Sequence, residues 1–422
     1  MFNFRELAFW AIDLVTGGKH YKHYADISQN STNSAAKIDD IICYAQKHVP
    51  FYQNISASSL AELPVMSKDV YKKFDFDTFI SDEYKNAKLH TVYTSGSTGS
   101  PFKVVQNKSK RRRVKCDLIN CHNNIGWRLG DKFVFMRNWL FVYKRSLLKS
   151  LVQNVHSVNL AGFSDTEKEK LFKWLKRHNN TVLFGYSSAV YDFAKYVQAK
   201  FSNQPLPKLK LIVCDSDALT PKMRGYIEDI FKCPVYNRYD NEENGLLGIS
   251  SSDESGFKLN TQSLFFEILK IDSDEPQEPG LMGRVVVTDM YNYAMPLLRY
   301  DTGDLAISYD HISNIKTIHK LVGRKKSCLI NTSGRMVSDA EISVIPEVFT
   351  GIEKYQIIQE SDKDFTFNYV GDIDDNSLDI MSNLFKKSLG YDIVLSINKV
   401  PDIATNKNGK YESSVNKTLK NE

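Results

Sequence analysis

Thr94-Ser95-Gly96-Ser97-Thr98-Gly99-Ser100-Pro101-Phe102-Lys103 is the stretch from which the rest of the chain is best approached. Thr94 to Gly99 are all Thr, Ser or Gly. Glycines let a backbone come close to a ligand and hydroxyls supply hydrogen bonds. The N–H groups of such a loop can form a concave nest for an anion, usually phosphate. Leu89-His90-Thr91-Val92-Tyr93 before it reads as a strand, and the basic stretch after it is compatible with a helix. A strand entering a polar glycine loop is where α/β proteins hold nucleotides. The loop is neither a Walker A sequence nor Gly-x-Gly-x-x-Gly, since Gly96 and Gly99 stand three apart. Taken alone, it reads equally well as a flexible Ser/Gly surface loop.

Outward from this loop, residues 1–90 look mainly helical, with a loop around Leu63–Lys68. From about 89 to 320 strand-like and helix-like segments alternate. Phe133–Met136, Thr181–Gly185 and Leu209–Cys214 read as strands, and Asp165–Asn179 has a helical charge pattern. Thr220-Pro221 opens another helix, Thr as cap and Pro at the first helical position. Alternation of this kind implies layered α/β architecture. After Arg324 the texture changes to a small α+β unit. It has strands at 355–359, 365–370 and 392–400, and a helix at 377–389. The expected division is 1–323 for a large N-terminal domain and 324–422 for a small C-terminal one.

Composition narrows the class. The chain has 422 residues, 42% apolar and 25% charged, with a formal charge of +5 from 55 basic and 50 acidic residues. That charge is too mild to imply nucleic-acid binding. The six cysteines form no Cys-x-x-Cys, which fits reduced thiols in the cytoplasm. No apolar run approaches the length of a membrane span. Glu6 and Asp13 interrupt the apolar N-terminal segment, which reads as an amphipathic helix packed on the body. At most, peripheral membrane contact through its aromatics is expected. The basic run Lys108–Lys115 reads as a solvated helix face or as a site for a phosphorylated co-substrate. No Ser/His/Asp order suggests a hydrolase, and the histidines show no metal-binding spacing.

Four motifs follow the loop in order: Tyr239-Asp240-Asn241-Glu242-Glu243-Asn244-Gly245, Arg299-Tyr300-Asp301-Thr302-Gly303-Asp304, Gly323-Arg324-Lys325-Lys326 leading to Ser333-Gly334-Arg335, and Asn408-Gly409-Lys410. With the loop, and with Leu63–Lys68 and Gly185-Tyr186-Ser187-Ser188-Ala189, this order resembles the adenylate-forming superfamily of acyl-CoA synthetases and ligases. The closest resemblance is to its short phenylacetate–CoA ligase-like and CapK-type branch. It spans about residue 60 to the end.

The resemblance implies a large layered α/β domain plus a small mobile α+β domain. It implies ATP, Mg²⁺ and possibly CoA as cofactors. A carboxylate attacks the α-phosphate of ATP, and the acyl-AMP then passes to a thiol or an amine. Charge spreading over phosphate oxygens calls for placed N–H donors, a cation and a metal. By resemblance, Thr94, Ser95, Gly96, Ser97, Thr98 and Gly99 hold the β/γ-phosphates. Glu243 ligates Mg²⁺, Tyr239 stacks on adenine, and Ser216 and Asp217 lie in the adenine-contacting motif. Asp304 binds ribose and Arg324 contacts ribose or phosphate. Lys410 reaches the α-phosphate, Lys326 is the hinge, and Gly334 lines the acceptor's entry. Tyr186, Ser187 and Ser188 line the acyl substrate, and Tyr186 and Ser187 suit a polar one such as a sugar acid or amino acid.

Asp301 stands where relatives commonly have Arg, Glu242 where they have Ser or Thr, and Asp215–Ala218 replaces the usual Gly-rich adenine motif. The expected protein is a cytoplasmic monomer or homodimer acting in capsular or O-antigen polysaccharide synthesis. The alternatives are an aryl- or acyl-CoA ligase of the phenylacetate type and a non-catalytic nucleotide-binding homologue.

Overall fold

The computed structural model describes residues 4–94, 102–138, 147–251, 255–310, 314–404 and 412–418. The chain divides into two compact units. One comprises 1–268, 286–301 and 308–319, and the other 269–285, 302–307 and 320–422.

The larger unit begins with the helices α1 (Phe4–Val15), α2 (Lys19–Ser28), α3 (Ser34–His48), α4 (Pro50–Gln53) and α5 (Lys68–Tyr71). A two-stranded antiparallel hairpin follows, β1 (His90–Tyr93) with β2 (Lys103–Gln106). The glycine loop therefore joins two strands, and the basic helix α6 (Lys108–Asn124) starts only after β2. A strand-to-helix connection was the sequence expectation. Val104 and Val105, both buried, satisfy a strand on the body instead. Asn107 then caps α6, its side chain accepting from the Lys110 amide at 2.7 Å.

An eight-stranded sheet follows: β3 (Phe133–Arg137), β4 (Val155–Asn159), β5 (Thr181–Tyr186), β6 (Leu209–Asp215), β7 (Val235–Asn241), β8 (Gly245–Ser250) and β9 (Phe257–Leu259) are joined later by β13 (Thr317–Ile318). The order is β13-β9-β8-β7-β6-β5-β3-β4. The run from β4 to β7 is parallel, and β7 to β13 is antiparallel. Between the parallel strands run α7 (Leu147–Gln153), α8 (Asp165–Arg177), α9 (Ser187–Phe201) and α10 (Pro221–Phe231). As the sequence predicted, Thr220 caps α10, its hydroxyl accepting from the Met223 amide at 3.2 Å.

Burial alternates along the strands. Val134, Met136, Leu183, Ile212 and Val235 meet Phe172, Phe193, Val197 and Ile227 of the covering helices on one face. Val182, Phe184, Leu211 and Val213 pack with Trp127 on the other. Strands covered on both faces read as apolar runs, which is why β5 and β6 were visible in the sequence. After β3 the chain crosses to β4 on one side and then returns to β5 on the other. The sheet's topological switch point therefore lies between β3 and β5, and ligands in open α/β sheets bind at the carboxyl ends of strands beside such a point.

Beyond β10 (Leu264–Leu269), β11 (Met282–Asp289) and β12 (Tyr300–Ile307), the smaller unit contains β14 (Lys320–Arg324), β15 (Leu329–Ile330), β16 (Met336–Val337), α11 (Asp339–Glu347), β17 (Ile352–Gln359), β18 (Asp364–Gly371), α12 (Asp375–Leu389), β19 (Val394–Lys399) and β20 (Ser414–Asn416). Its sheet, β19-β18-β17-β20, packs Ile357, Phe365 and Phe367 against Met381, Phe385 and Leu389 of α12. A mixed α/β larger unit and a smaller α+β one are the architecture the motif order implied.

Candidate active site

Glu243 lies in the turn of the β7–β8 hairpin and is 1% exposed. Its Oε1 accepts a hydrogen bond from the Tyr300 hydroxyl at 2.6 Å and lies 2.7 Å from the Lys68 Nζ. Neither contact has a local sequence signal. The segment through Met66 runs parallel beside Tyr300: the Met66 amide donates to the Arg299 carbonyl and the Asp301 amide to the Met66 carbonyl. Arg299 pins the same segment by donating to the carbonyls of Ala61 and Leu63, at 3.0 and 2.9 Å. Ser67 then caps α5, which carries Lys68 to Glu243.

Tyr300 also meets the base of the glycine loop, because Phe102 stacks on its ring with 6.1 Å between centroids. The loop's ends are tied together. The Thr94 amide donates to the Phe102 carbonyl, and the Phe102 amide to the Thr94 hydroxyl at 3.3 Å. Thr94 is buried, while Ser95, Gly96, Ser97, Thr98 and Gly99 lie outside the described residues. Thr94 and Glu243, apart by 149 positions, are thus brought to one place by a single tyrosine.

The Glu243 turn is gripped from behind. Gln106 Nε2 donates to the Glu243 carbonyl at 2.9 Å. Lys110 Nζ donates to the Asn244 carbonyl at 2.8 Å and pairs with Asp289 at 2.7 Å. Gly245 has φ 88°, and a Cβ there would come within 3.0 Å of both Val114 methyls. The basic run is accordingly neither a solvated face nor a ligand patch along its whole length. Lys110 and Arg113 are fully buried, and Arg113 is bound to Asp26, Ser263 and the Gln262 carbonyl.

A second cluster lies at the carboxyl ends of the parallel strands. Arg137 ends β3, Tyr186 ends β5 and Asp215 ends β6. The Arg137 guanidinium binds Asp215, donates to Ser216 Oγ at 2.9 Å, and lies 5.0 Å from the Tyr186 ring centroid. Arg238 reaches Asp215 at 3.1 Å and Asp240 at 2.6 Å. Burial pushes the Asp215 carboxyl up to about 6, against the opposing pull of the two guanidiniums. Ser216 has φ 70°, a left-handed conformation that a non-glycine residue adopts at some cost. The Asp217 carboxylate accepts from the amides of Ser187 and Ser188, at 2.6 and 3.1 Å, and so holds the N-terminus of α9. Tyr239 is 7% exposed, with Phe257 edge-on to its ring.

In the smaller unit Asp304 and Arg324 are register partners on β12 and β14. Arg324 Nε lies 2.9 Å from Asp304 Oδ1, and its Nη1 donates to the Thr302 carbonyl at 3.1 Å. Gly303 between them has φ 77°, which favours glycine. Lys326 is exposed in a single 3₁₀ turn after β14, and Gly334, with φ 83°, lies in a turn gathered around the Asn331 side chain. Lys410 lies outside the described residues.

Among the described residues no group of three or more His, Cys, Asp or Glu forms a metal cage. Magnesium, however, is commonly held by one or two carboxylates together with substrate phosphates. The buried Glu243 carboxylate, a hard oxygen donor beside the base of the Thr94 loop, fits that ion.

Two family models match the chain, and solved structures share its fold. The AMP-binding enzyme model matches residues 28–289, and the CapK C-terminal domain model matches 329–417. The chain is 25% identical over 333 residues to Protein CapK of Staphylococcus aureus, a match covering 73% of this chain and 70% of that protein. Among solved structures, 2-hydroxyisobutyryl-CoA ligase in the postadenylation state with 2-HIB-AMP shares the fold at a TM-score of 0.70 and 15% identity, over 91% of this chain and 88% of that one. ATP-bound MatB from Rhodopseudomonas palustris does so at a TM-score of 0.56 and 16% identity, over 76% and 66%.

Proposed function

Because this chain belongs to the AMP-binding enzyme family and is an adenylate-forming ligase, we propose that it activates a polar carboxylic acid, such as a sugar acid, as its acyl-AMP and passes the acyl group to a thiol or an amine. The observation that carries this reading is the convergence of Thr94, Tyr300, Glu243 and Lys68 in one place.

The Thr94–Gly99 loop cradles the β- and γ-phosphates. Glu243, fixed by Tyr300, is the ligand for Mg²⁺, which when bound offsets phosphate charge. Lys68 adds a cation that the motif comparison alone did not assign. Tyr239, Ser216 and Asp217 line the adenine side, Asp304 and Arg324 take the ribose, and Lys410 stabilises charge at the α-phosphate. Arg137 and Tyr186, at the β3/β5 switch point, favour an acid bearing hydroxyl or charged groups over an alkyl chain. Ser187 contributes by position rather than by contact, since it is fully buried with its hydroxyl donating to the Asp217 carbonyl at 3.0 Å, and the amides of Ser187 and Ser188 are both held by the Asp217 carboxylate. Lys326 is the hinge.

From the resemblance to the CapK-type branch we further propose a place in capsular or O-antigen polysaccharide synthesis, with an amine acceptor. The likeness to 2-hydroxyisobutyryl-CoA ligase, solved with 2-HIB-AMP and CoA, supports a CoA thiol. Carboxylate-dependent ATP–pyrophosphate exchange over a panel of sugar acids, amino acids and aryl acids tests the first half-reaction. Product mass with CoA or amino sugars then separates thioester from amide. Lys410→Ala should slow exchange by about 10²–10³-fold. ATP binding with no exchange on any acid would instead identify a nucleotide-binding module.

A further inference from the structure

Helix α1 is packed with its polar side inward. Asp13 is buried, where it accepts from the amides of His20 and Tyr21 and pairs with the His20 ring at 2.8 Å. Glu6 is largely covered and faces Arg128. Phe9 packs on His20, and Trp10 on Tyr21 and Tyr24, so the aromatics near the helix middle are occupied by α2. Phe4, Leu7, Ile12, Leu14 and Val15 are left exposed, the last at 87%. On a 3.6-residue helix, positions 4, 7, 11, 12, 14 and 15 fall on one arc. That arc is apolar throughout and carries no charge.

The patch continues beyond α1. Arg5 Nη2 donates to the Leu151 carbonyl at 3.5 Å, which sets α7 beside the start of α1, and Leu151 and Val152 are about as exposed as Leu14. Arg5, Lys19 and Lys22 are the exposed charges of α1 and α2, and both acids of that stretch up to Lys22 are turned inward. No helix among the described residues is long and apolar enough to cross a membrane.

We propose that the outward face of α1, with the exposed tip of α7, seats this protein on an anionic lipid surface: the aliphatic side chains enter the headgroup boundary while Arg5, Lys19 and Lys22 meet lipid phosphates. The charge favours lipid over a second copy of this chain, whose identical cations would face one another across the contact. The contact is mainly aliphatic, with Phe4 at its N-terminal edge, whereas Phe9 and Trp10 are packed on α2.

Co-sedimentation with phosphatidylcholine/phosphatidylglycerol vesicles, and with phosphatidylcholine alone, tests this on the full chain. Lys19→Gln/Lys22→Gln should weaken partitioning onto the anionic vesicles by about thirtyfold, about fivefold per lysine, and leave neutral vesicles unaffected. Leu7→Gln/Ile12→Gln/Leu14→Gln should weaken it on both by at least about a hundredfold. These positions face solvent, so circular dichroism and Tm should match wild type. The proposal fails if wild type ignores anionic vesicles at millimolar lipid, or if the apolar variant partitions as well as wild type. It also fails if light scattering shows a dimer that only the apolar variant dissociates, because a second copy then covers the face.

Discussion

Replacing Lys110 by Met tests whether the Glu243 turn is held by a buried charge. Lys110 and Asp289 are both fully buried, with Nζ 2.7 Å from the carboxylate, and the same Nζ holds the Asn244 carbonyl. Met fills similar space and removes the charge. Asp289 then keeps one donor, the Tyr291 amide at 2.9 Å, and an uncompensated buried charge. Breaking one side of such a pair costs about 3–5 kcal/mol. A unit of roughly 300 residues, at about 2.1 cal/mol/K per residue, would lose about 5–8 °C in Tm. Adding Asp289→Asn removes the orphaned charge and should return all but about 1–2 kcal/mol, the residue being the Asn244 carbonyl left without its donor. Calorimetry on wild type, both single variants and the double variant gives the coupling. Function should separate from stability. Even the thermally restored double variant should need about 10–100-fold more Mg²⁺ for half-maximal pyrophosphate exchange, because the turn bearing Glu243 is no longer seated. A Lys110→Met variant within 1 kcal/mol of wild type, or a double variant as unstable as the sum of the singles, would refute this reasoning.

Tyr300→Phe removes the hydroxyl donor to a buried carboxylate, and chemical denaturation should show a loss of about 1.5–3 kcal/mol. Gly185→Ala should destabilise by about 1–3 kcal/mol, since the new Cβ would stand 2.8 Å from Met136 Cβ on the neighbouring strand. Met136→Ala should not rescue it, because Cβ remains; rescue would locate the clash elsewhere. Asp215 titrates near 6 when folded against an ordinary 3.8, so between these values the folded state holds a proton the unfolded state has released. Stability from this group is full below about pH 4 and falls as pH rises to about 6. Asp215→Asn should therefore make the slope of unfolding free energy against pH more positive than in wild type across that window, by up to about 1.4 kcal/mol per pH unit. Identical slopes would show that Asp215 is ionised throughout.

Much of the fold was legible because both-face burial writes itself as apolar runs, as at Leu209–Cys214, and because caps such as Thr220-Pro221 are local. The hairpin strand Lys103–Gln106 was missed because its basic flank resembles the helix it precedes. In α1, Glu6 and Asp13 mark the inward side, which composition cannot reveal, since a carboxylate met by backbone amides looks the same in sequence as a solvated one. The motif residues were legible as types in order. Lys68, Gln106 and Lys110, which hold Glu243, were not, because each bond joins segments more than 130 positions apart. Lys68 and Lys110 do stand in stretches that the sequence marks, Leu63–Lys68 and the basic run Lys108–Lys115, but nothing in either stretch points to Glu243.

The grip of Gln106 and Lys110 on the Glu243–Asn244 turn has a consequence for recombination among relatives. β2, the first turns of α6 and the β7–β8 hairpin should be inherited together, since Gln106 and Lys110 hold the turn and Val114 leaves no room for a Cβ at 245. A chimera that imports the loop but is spliced at residue 103 should separate it from the turn that its own parent's Gln106 and Lys110 hold. Splicing beyond 114, with 241–245 and Asp289 drawn from the same parent, preserves the fit, and aligned relatives should show substitutions at 106, 110, 244 and 289 changing in concert.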